Sequence, residues 1–399
     1  MTSSPPPASV PNSSEPGVPT PVDVVIIGGG QAGLASAGQL RHRGFAPIDD
    51  PAAPPAATGA REGEGRFVVL DAGAAPGGAW RDRWPGLVMA TVNNIAALPG
   101  LPFTGSDPAA ESRQVVPAYF AQYEREMGLR VRRPVAVRSV SHLGADPTSR
   151  FLVDTDHGRW AARFVINATG TWTQPIRPVY PGQERFRGRI LHTVDYRGVQ
   201  DGFAGTNIVV VGAGVTALQL LGELSRVAHT FWVSRRPPDW REGEFDAAHR
   251  IAAVRGVQER VEAGLPPLSV VEATGLWRGT GATREAEARG VLENHRMFTQ
   301  IEPDGVRMGD GVFVPADVIL YATGFRWELT HLAPLHLQTP QGGVLMEGTR
   351  SVAEPRLHLV GYGPSSSTVG ASQAGYRAAL QISRELGLLP VTGAASSAG

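Results

Sequence analysis

Residues 23–40 constrain the fold more than any other part of the chain. They read DVVIIGGGQAGLASAGQL, an apolar run, a cluster of glycines and then an Ala- and Leu-rich run. The four β-branched residues at positions 24–27 predict a buried strand, and the Ala- and Leu-rich run predicts a helix. Gly28, Gly30 and Gly33 lie between the two in the spacing G-x-G-x-x-G.

Each of these glycines has a mechanical role. Gly28 permits the tight turn from strand to helix, Gly30 lets backbone approach a pyrophosphate, and Gly33 lets the helix pack on the strand. The helix N-terminus presents free N–H groups and a positive dipole end to phosphate. The spacing alone is a weak signal in a chain with 49 glycines, but its place between strand and helix strengthens it. The turn, with Gln31, therefore predicts a dinucleotide site.

A second strand, at residues 67–70, ends at Asp71. In dinucleotide-binding folds an acidic residue at this strand end accepts hydrogen bonds from ribose hydroxyls, usually about 20 residues after the glycines. Asp71 lies further on than that, and the Pro-, Ala- and Gly-rich insertion at residues 47–65 accounts for the excess. We expect Asp71 to bind the ribose; the alternative is an aspartate that caps a turn.

The second half of the chain repeats the pattern of a strand, a glycine turn and a helix. Residues 207–211 predict an apolar strand, and the helix after it opens with Gly212, Gly214, Thr216 and Ala217. Alanine at the third glycine position is a permitted variant, because it is still small enough for the helix to pack on the strand. A second dinucleotide site is therefore predicted here.

The next strand, at residues 230–233, ends in Ser234, Arg235 and Arg236, where the ribose-binding position is expected. Arginine binds phosphate in a fork, whereas an Asp or Glu would repel a 2′-phosphate. The second nucleotide is therefore predicted to be NADPH rather than NADH. The alternative is a solvated pair of surface arginines.

Residues 163–168 and 312–321 predict two further strands, and each of them ends in Ala-Thr-Gly, with Thr169 and Gly170 in the first half and Thr323 and Gly324 in the second. Small residues at a strand end leave room for a cofactor nearby. A helix at residues 371–386 then closes the chain. Two dinucleotide sites and two such strand ends indicate an α/β protein in which a second Rossmann-like domain is inserted into the first. Each Ala-Thr-Gly would then mark a crossing, the point at which the chain passes from one domain to the other.

Composition excludes several classes of chemistry. The chain has no cysteine, and all 37 of its basic residues are arginine, so thiolate nucleophiles, disulfides and Schiff-base lysines are excluded. Its formal net charge is zero, which gives no basic face for nucleic acid or an anionic membrane. No apolar run reaches membrane-spanning length, and residues 1–20 lack the features of a signal peptide. A cytoplasmic protein is expected.

The most specific residues are Phe186, Gly188, His192 and Tyr196, which fit the pattern F-x-G-x-x-x-H-x-x-x-(Y/F/W) just before the second glycine motif. Over residues 22–386 the chain resembles the class B flavin-dependent monooxygenases, whose fingerprint this pattern is. The sequences GGAW at residues 77–80 and YATGF at residues 321–325 also resemble family motifs.

The resemblance implies FAD on the first domain and NADPH on the inserted one. The isoalloxazine would lie against Gly78 and Trp80, with further cofactor contacts at Val137 and Gln373. The chain would divide into a disordered tail at 1–20, an FAD-binding part at 22–170, an NADPH-binding domain at 171–317, a second FAD-binding part at 318–387 and a disordered tail at 388–399.

The implied activity is insertion of one atom of O2 into a small organic substrate through a C4a-(hydro)peroxyflavin, after NADPH has reduced FAD. The implied catalytic residues are Asn93 and Asn94 near the flavin, with His192 and Tyr196 of the fingerprint. The alternatives are turn asparagines and a buried structural histidine. No metal site is expected, and the sequence leaves a homo-oligomer open.

Neither Asp nor Pro follows Tyr196, a departure that favours oxygenation of nitrogen or sulfur over Baeyer–Villiger oxidation of ketones, which stays the main alternative. A disulfide reductase shares the architecture but needs a cysteine pair. An uncoupled or non-catalytic redox sensor that binds both cofactors is the alternative from a different class.

Overall fold

The computed structural model describes residues 18–51, 65–92, 95–241, 246–280 and 283–388, without the side chains of Ala247 and Val271. The strands, in chain order, are β1 (Thr20–Ile27), β2 (Ala46–Pro47), β3 (Arg66–Leu70), β4 (Val137–His142), β5 (Phe151–Thr155), β6 (Gly158–Asn167), β7 (Arg189–His192), β8 (Asn207–Val211), β9 (His229–Ser234), β10 (Trp240–Arg241), β11 (Leu276–Trp277), β12 (Asn294–Arg296), β13 (Gln300–Glu302), β14 (Gly305–Arg307), β15 (Phe313–Pro315), β16 (Val318–Tyr321), β17 (Met346–Glu347), β18 (Arg350–Ser351) and β19 (Leu357–Leu359). The helices are α1 (Gln31–His42), α2 (Ser112–Glu126), α3 (Val215–Leu224), α4 (Ala247–Glu262), α5 (Val270–Ala273), α6 (Arg284–Ala288) and α7 (Thr368–Glu385).

The first sheet is built around β1, which pairs in parallel with β3 on one side and β6 on the other. Its main order is β17-β18-β19-β6-β1-β3-β2. The long strand β6 pairs with β5 along its first half and with β19 along its second half. Helices α1, α2 and α7 pack on one face of β1, where Val24 and Ile26 are fully buried. Val25 and Ile27 are buried on the other face, which explains the continuous apolar run.

The second sheet has five parallel strands in the order β12-β9-β8-β16-β7. Helix α3 covers one face and buries Leu218 and Leu221 against Val210 of β8. The antiparallel strands β13, β14 and β15 contribute the core on the other face. Both faces are therefore covered, as an all-parallel sheet requires.

The chain leaves the first sheet at the end of β6 and returns to it after β16, which confirms the predicted α/β architecture of two Rossmann-type units. The return lies after Tyr321, not after residue 317, because β16 pairs with β7 and β8 of the second sheet. Residues 312–321 form two strands in different sheets, separated by a break at Ala316 and Asp317. Asp317 accepts a hydrogen bond from the Asn207 backbone N–H at 2.8 Å, which fixes this break beside β8.

The predicted tails lie mainly outside the described residues, which begin at Val18 and end at Leu388. Thr20, assigned to the first tail, is already the first residue of β1, where it pairs with Trp160 of β6. The parallel ladder with β6 extends this strand beyond its apolar core.

Candidate active site and cofactor sites

The first glycine turn is shaped by two close approaches of backbone. Gly28 has φ +105°, and a Cβ there would collide with the carbonyl oxygen of Ala168 at the end of β6. A Cβ on Gly33 would overlap the Gly28 carbonyl oxygen. Gly30, the N-cap of α1, has no atom within 4 Å of its Cβ position, and the first turn of α1 has no acidic side chain. The turn therefore leaves open space at a helix N-terminus, which fits the pyrophosphate of FAD.

Gln31 and Gly78 bring other segments to this turn. The Gln31 amide nitrogen lies 3.2 Å from the Ala96 carbonyl oxygen and 3.3 Å from the Ser372 hydroxyl of α7, and its Oε1 is buried without a partner among the described residues. Gly78 has φ +50°, and its Cβ position is 3.1 Å from the Gly30 Cα. The segment Gly78–Trp80 therefore lies directly on the glycine turn.

Asp71 lies at the end of β3, and both of its carboxylate oxygens have partners. Oδ2 accepts a hydrogen bond from Arg133 Nε at 2.6 Å, and Oδ1 accepts one from the Gly73 backbone N–H at 3.2 Å. Arg133 also donates two hydrogen bonds to Glu124, at 2.6 and 2.7 Å. Each carboxylate oxygen of Asp71 has a second lone pair, so the prediction that it binds ribose stays compatible with this network.

Sequence reasoning did not find Arg133 and Glu124, because nothing in the local sequence links them to Asp71. The two other predicted cofactor residues, Val137 and Gln373, lie on β4 and α7. Val137 is half-buried at the start of β4 and packs on the core beneath the sheet. Gln373 is on the exposed face of α7 and lines a surface groove with Gln39.

The second glycine turn reproduces the first. Gly212 has φ +141°, and a Cβ there would collide with the carbonyl oxygen of Ala322. Gly214 is the N-cap of α3 and has open space at its Cβ position. Thr216 is half-buried in the first turn of α3, and Ala217 is fully buried. In both units the alanine of Ala-Thr-Gly therefore packs on the first glycine of the turn.

The chain crosses from one unit to the other after β6 and again after β16, and these two crossings lie side by side. Thr169 donates to the Glu328 carbonyl oxygen at 2.7 Å, and the Glu328 N–H donates to the Gly170 carbonyl oxygen at 2.9 Å. In the other direction, Thr323 donates to the carbonyl oxygen of Ile176 at 2.6 Å, and the Ile176 N–H donates to Gly324 at 3.0 Å. These bonds hold the ends of β6 and β16 next to each other, and with them both glycine turns. We call this region the junction of the two units.

His192 and Tyr196 of the fingerprint are fully buried. His192 Nε2 lies 3.1 Å from the Gly324 carbonyl oxygen, so the ring holds the second crossing. Burial lowers the pKa of His192 to about 4, and the ring is neutral at physiological pH. The Tyr196 hydroxyl donates to Glu223 Oε1 at 3.0 Å, and burial raises the pKa of Glu223. Both side chains are thus engaged within the protein and have no exposed face for a substrate.

At the end of β9, Ser234 is buried and donates to the Asn294 side-chain oxygen at 2.8 Å. Arg235 and Arg236 are exposed, and neither forms an ion pair with another described residue. Arg296, which sequence reasoning did not find, ends β12 in register with Ser234 and is also exposed. Parallel pairing of β9 with β12 therefore brings three exposed arginines to the carboxyl ends of two neighbouring strands.

Asn93 and Asn94 lie outside the described residues. Among the helices that the structure describes, none is long and apolar enough to span a membrane.

Comparisons with known proteins agree with this geometry. The family model for pyridine nucleotide-disulphide oxidoreductases matches residues 66–361. The structure of a flavin-containing monooxygenase from Stenotrophomonas maltophilia is similar at 33% identity and a TM-score of 0.72, covering 92% of this chain and 99% of that one. Ketocytochalasin monooxygenase of Aspergillus clavatus is 31% identical over 57% of this chain and 35% of its own length. A Baeyer–Villiger monooxygenase of Streptomyces coelicolor is 25% identical over 74% of this chain and 52% of its own length.

The chain spans about a third to a half of the length of these two curated relatives. It covers the Stenotrophomonas protein almost completely, and its lack of cysteine excludes the disulfide chemistry in the family's name. The chain therefore belongs to the pyridine nucleotide-disulphide oxidoreductase family and, within it, to the flavin-dependent monooxygenases.

Proposed function

We propose that the chain is an NADPH-dependent monooxygenase that transfers one oxygen atom of O2 to a nucleophilic nitrogen or sulfur of a small organic substrate. The observation that carries the proposal is the pair of matched glycine turns, held at one junction by the hydrogen bonds between the two crossings. Two nucleotides that meet at such a junction can pass a hydride from one to the other.

In this proposal the chain's own residues bind, orient and exclude water. Gly28, Gly30 and Gly33 hold the pyrophosphate of FAD, and Asp71 binds its ribose. When bound, the flavin supplies the redox and oxygen chemistry. Packing of Trp80 against the cores of both units keeps water from the junction.

NADPH is held by the second glycine turn, with Arg235 and Arg236 on its 2′-phosphate. His192 and Tyr196 act as positioning residues, because both are fully buried and bonded within the protein. His192 fixes the second crossing, and Tyr196 ties the fingerprint segment to α3 through Glu223.

The choice of nitrogen or sulfur rests on the fingerprint, in which neither Asp nor Pro follows Tyr196. Ketone oxidation is the second candidate, supported by the name of the Streptomyces relative. A substrate panel of thioethers, tertiary amines and cyclic ketones separates the two. Ketone turnover without turnover of thioethers or amines would contradict our choice.

The main experiment reduces FAD-loaded protein anaerobically with NADPH and then mixes it with oxygenated buffer and a thioether. We expect rapid bleaching of the flavin, followed by reoxidation that yields close to one sulfoxide per NADPH. Reoxidation that yields only hydrogen peroxide would indicate an uncoupled oxidase. Failure of NADPH to reduce the flavin would contradict the enzymatic proposal.

Preference for NADPH is tested with the double variant Arg235→Gln and Arg236→Gln. Loss of two charge-assisted contacts with the 2′-phosphate should raise KM for NADPH by about 10- to 100-fold and leave KM for NADH unchanged. The matched control is Arg187→Gln, which removes an exposed arginine that already pairs with Asp304 at 2.7 Å. Equal effects on both nucleotides would contradict the assignment.

A further inference from the structure

Arg83 lies in the segment that follows the GG-x-W motif, three residues after Trp80. Its guanidinium carbon is 4.3 Å from the ring centre of Trp172 and 5.8 Å from that of Trp80. Trp172 follows the first crossing and stacks on Phe325, which follows the second, with ring centres 5.2 Å apart. Arg83 is therefore part of an aromatic wall at the junction of the two units.

Within the described part of the chain, the charge of Arg83 is compensated only in part, by the charge of the adjacent Asp82. No described carboxylate lies within 4 Å of its guanidinium, and its Nε is buried without a hydrogen-bond partner among the described residues. The side chain of the adjacent Asp82 is exposed. Burial lowers the pKa of Arg83 to about 10, so the group is still positive at neutral pH.

Arg133 carries another guanidinium group of the first unit, and its partners can be compared with those of Arg83. Its side chain is 8% exposed and pairs with both Asp71 and Glu124 at 2.6 Å. Arg83 is half-buried and has no such partner among the described residues; burying part of a cation without an ion pair is costly, and a bound anion offsets that cost. The contrast indicates that the counter-charge of Arg83 comes from a ligand.

The aromatic contacts also define which part of Arg83 is available. Trp172 lies against the guanidinium, whereas the N–H donors of a guanidinium point outward in its plane. A planar fork of this kind matches the two oxygens of a carboxylate. The phosphates of the two cofactors already have their own glycine turns and helix N-termini, at Gly30 and Gly214.

We propose that Arg83 binds a carboxylate of the substrate, so that the preferred substrates are small thioethers or amines that carry a carboxylate group. This inference rests on the proposed function for the reacting atom, but the binding step can be measured without turnover. The same fork could instead hold a phosphate of NADPH, and the experiment separates these two sources.

The probes are methylthiopropanoate and its methyl ester, titrated into FAD-loaded oxidised protein and followed by tryptophan fluorescence, because Trp80 and Trp172 border the fork. We expect the carboxylate to bind at least about tenfold more tightly than the ester. Arg83→Gln should bring the two affinities within about twofold of each other, and Arg83→Lys should keep part of the preference. The matched control, Arg81→Gln, removes an exposed arginine from the same segment and should leave the preference unchanged.

Equal binding of the acid and the ester by the unaltered protein would overturn the proposal, and this comparison needs no variant that could fail to fold. A rise in KM for NADPH in Arg83→Gln, with the preference for the acid unchanged, would assign the fork to the cofactor and also overturn it. A retained preference for the acid without sulfoxide formation would refute the proposed oxygenation and support the binding site.

Discussion

The hydrogen bond between Tyr196 and Glu223 makes a quantitative prediction about the fingerprint. The Tyr196 ring is fully buried between Trp84 and Phe203, with ring centres 6.2 and 5.4 Å away, and its hydroxyl lies 3.0 Å from Glu223 Oε1. Burial raises the pKa of Glu223, and hydrogen bonds from Tyr196 and Trp84 counteract part of that rise. The substitution Tyr196→Phe removes only the hydroxyl.

The cost of this substitution should increase with pH. When Glu223 is protonated, the lost hydrogen bond is neutral and stabilises by about 0.5–1.5 kcal/mol; when Glu223 is ionised, it stabilises by about 1.5–3 kcal/mol. A carboxyl whose pKa is raised on folding contributes stability that is lost as pH rises through the raised pKa. The variant removes a hydrogen bond that lowers the pKa of Glu223, so it raises this pKa further and increases the loss. We expect a loss of about 1 kcal/mol near pH 5 that grows to about 2–3 kcal/mol near pH 8.

The assay is urea unfolding of the FAD-loaded protein, followed by circular dichroism at both pH values. The matched control is Tyr123→Phe, because Tyr123 is also fully buried but donates to a neutral acceptor, the Pro99 carbonyl oxygen, at 2.9 Å. The free energy of unfolding that Tyr123→Phe loses should not change with pH. If both variants lose the same free energy at both pH values, the reasoning about Glu223 is refuted.

Three further predictions concern buried polar groups. The Tyr321 hydroxyl is buried without a partner among the described residues, so Tyr321→Phe should leave the urea midpoint unchanged or raise it; a clear loss of stability would reveal a partner. Arg133→Leu leaves the carboxylates of Asp71 and Glu124 unpaired and should cost about 3–5 kcal/mol in urea unfolding, and a loss below about 1 kcal/mol would contradict this. Burial lowers the pKa of His358 to about 3, so its contribution to stability falls as pH drops from about 6.5 toward 3. His358→Gln should flatten the dependence of the thermal midpoint on pH between about 6.5 and 4, and an unchanged slope would refute this.

Sequence reasoning succeeded where the determinant is local. The bounds 207–211 for β8 and the helix after Gly214 follow from an apolar run and a glycine turn, and the structure has them there. It failed at residues 312–321, where one apolar run is divided between two sheets. It also failed to find Arg133, which is 62 positions from Asp71 in the chain. Such pairing depends on which strands become neighbours, and no local pattern encodes that.

The sequence by itself determined that this chain has two dinucleotide-binding folds, one inserted into the other. Each fold requires a strand, closely spaced glycines or alanine and a helix within a short segment, and steric limits on the turn make that pattern specific. Only the tertiary structure decided the environment of each polar group. It buried His192 as a neutral ring, paired Tyr196 with Glu223, and left Arg83 without a described carboxylate partner at the junction. Ionisation and pairing depend on burial and on groups distant in the chain, and these are fixed only when the two sheets pack together.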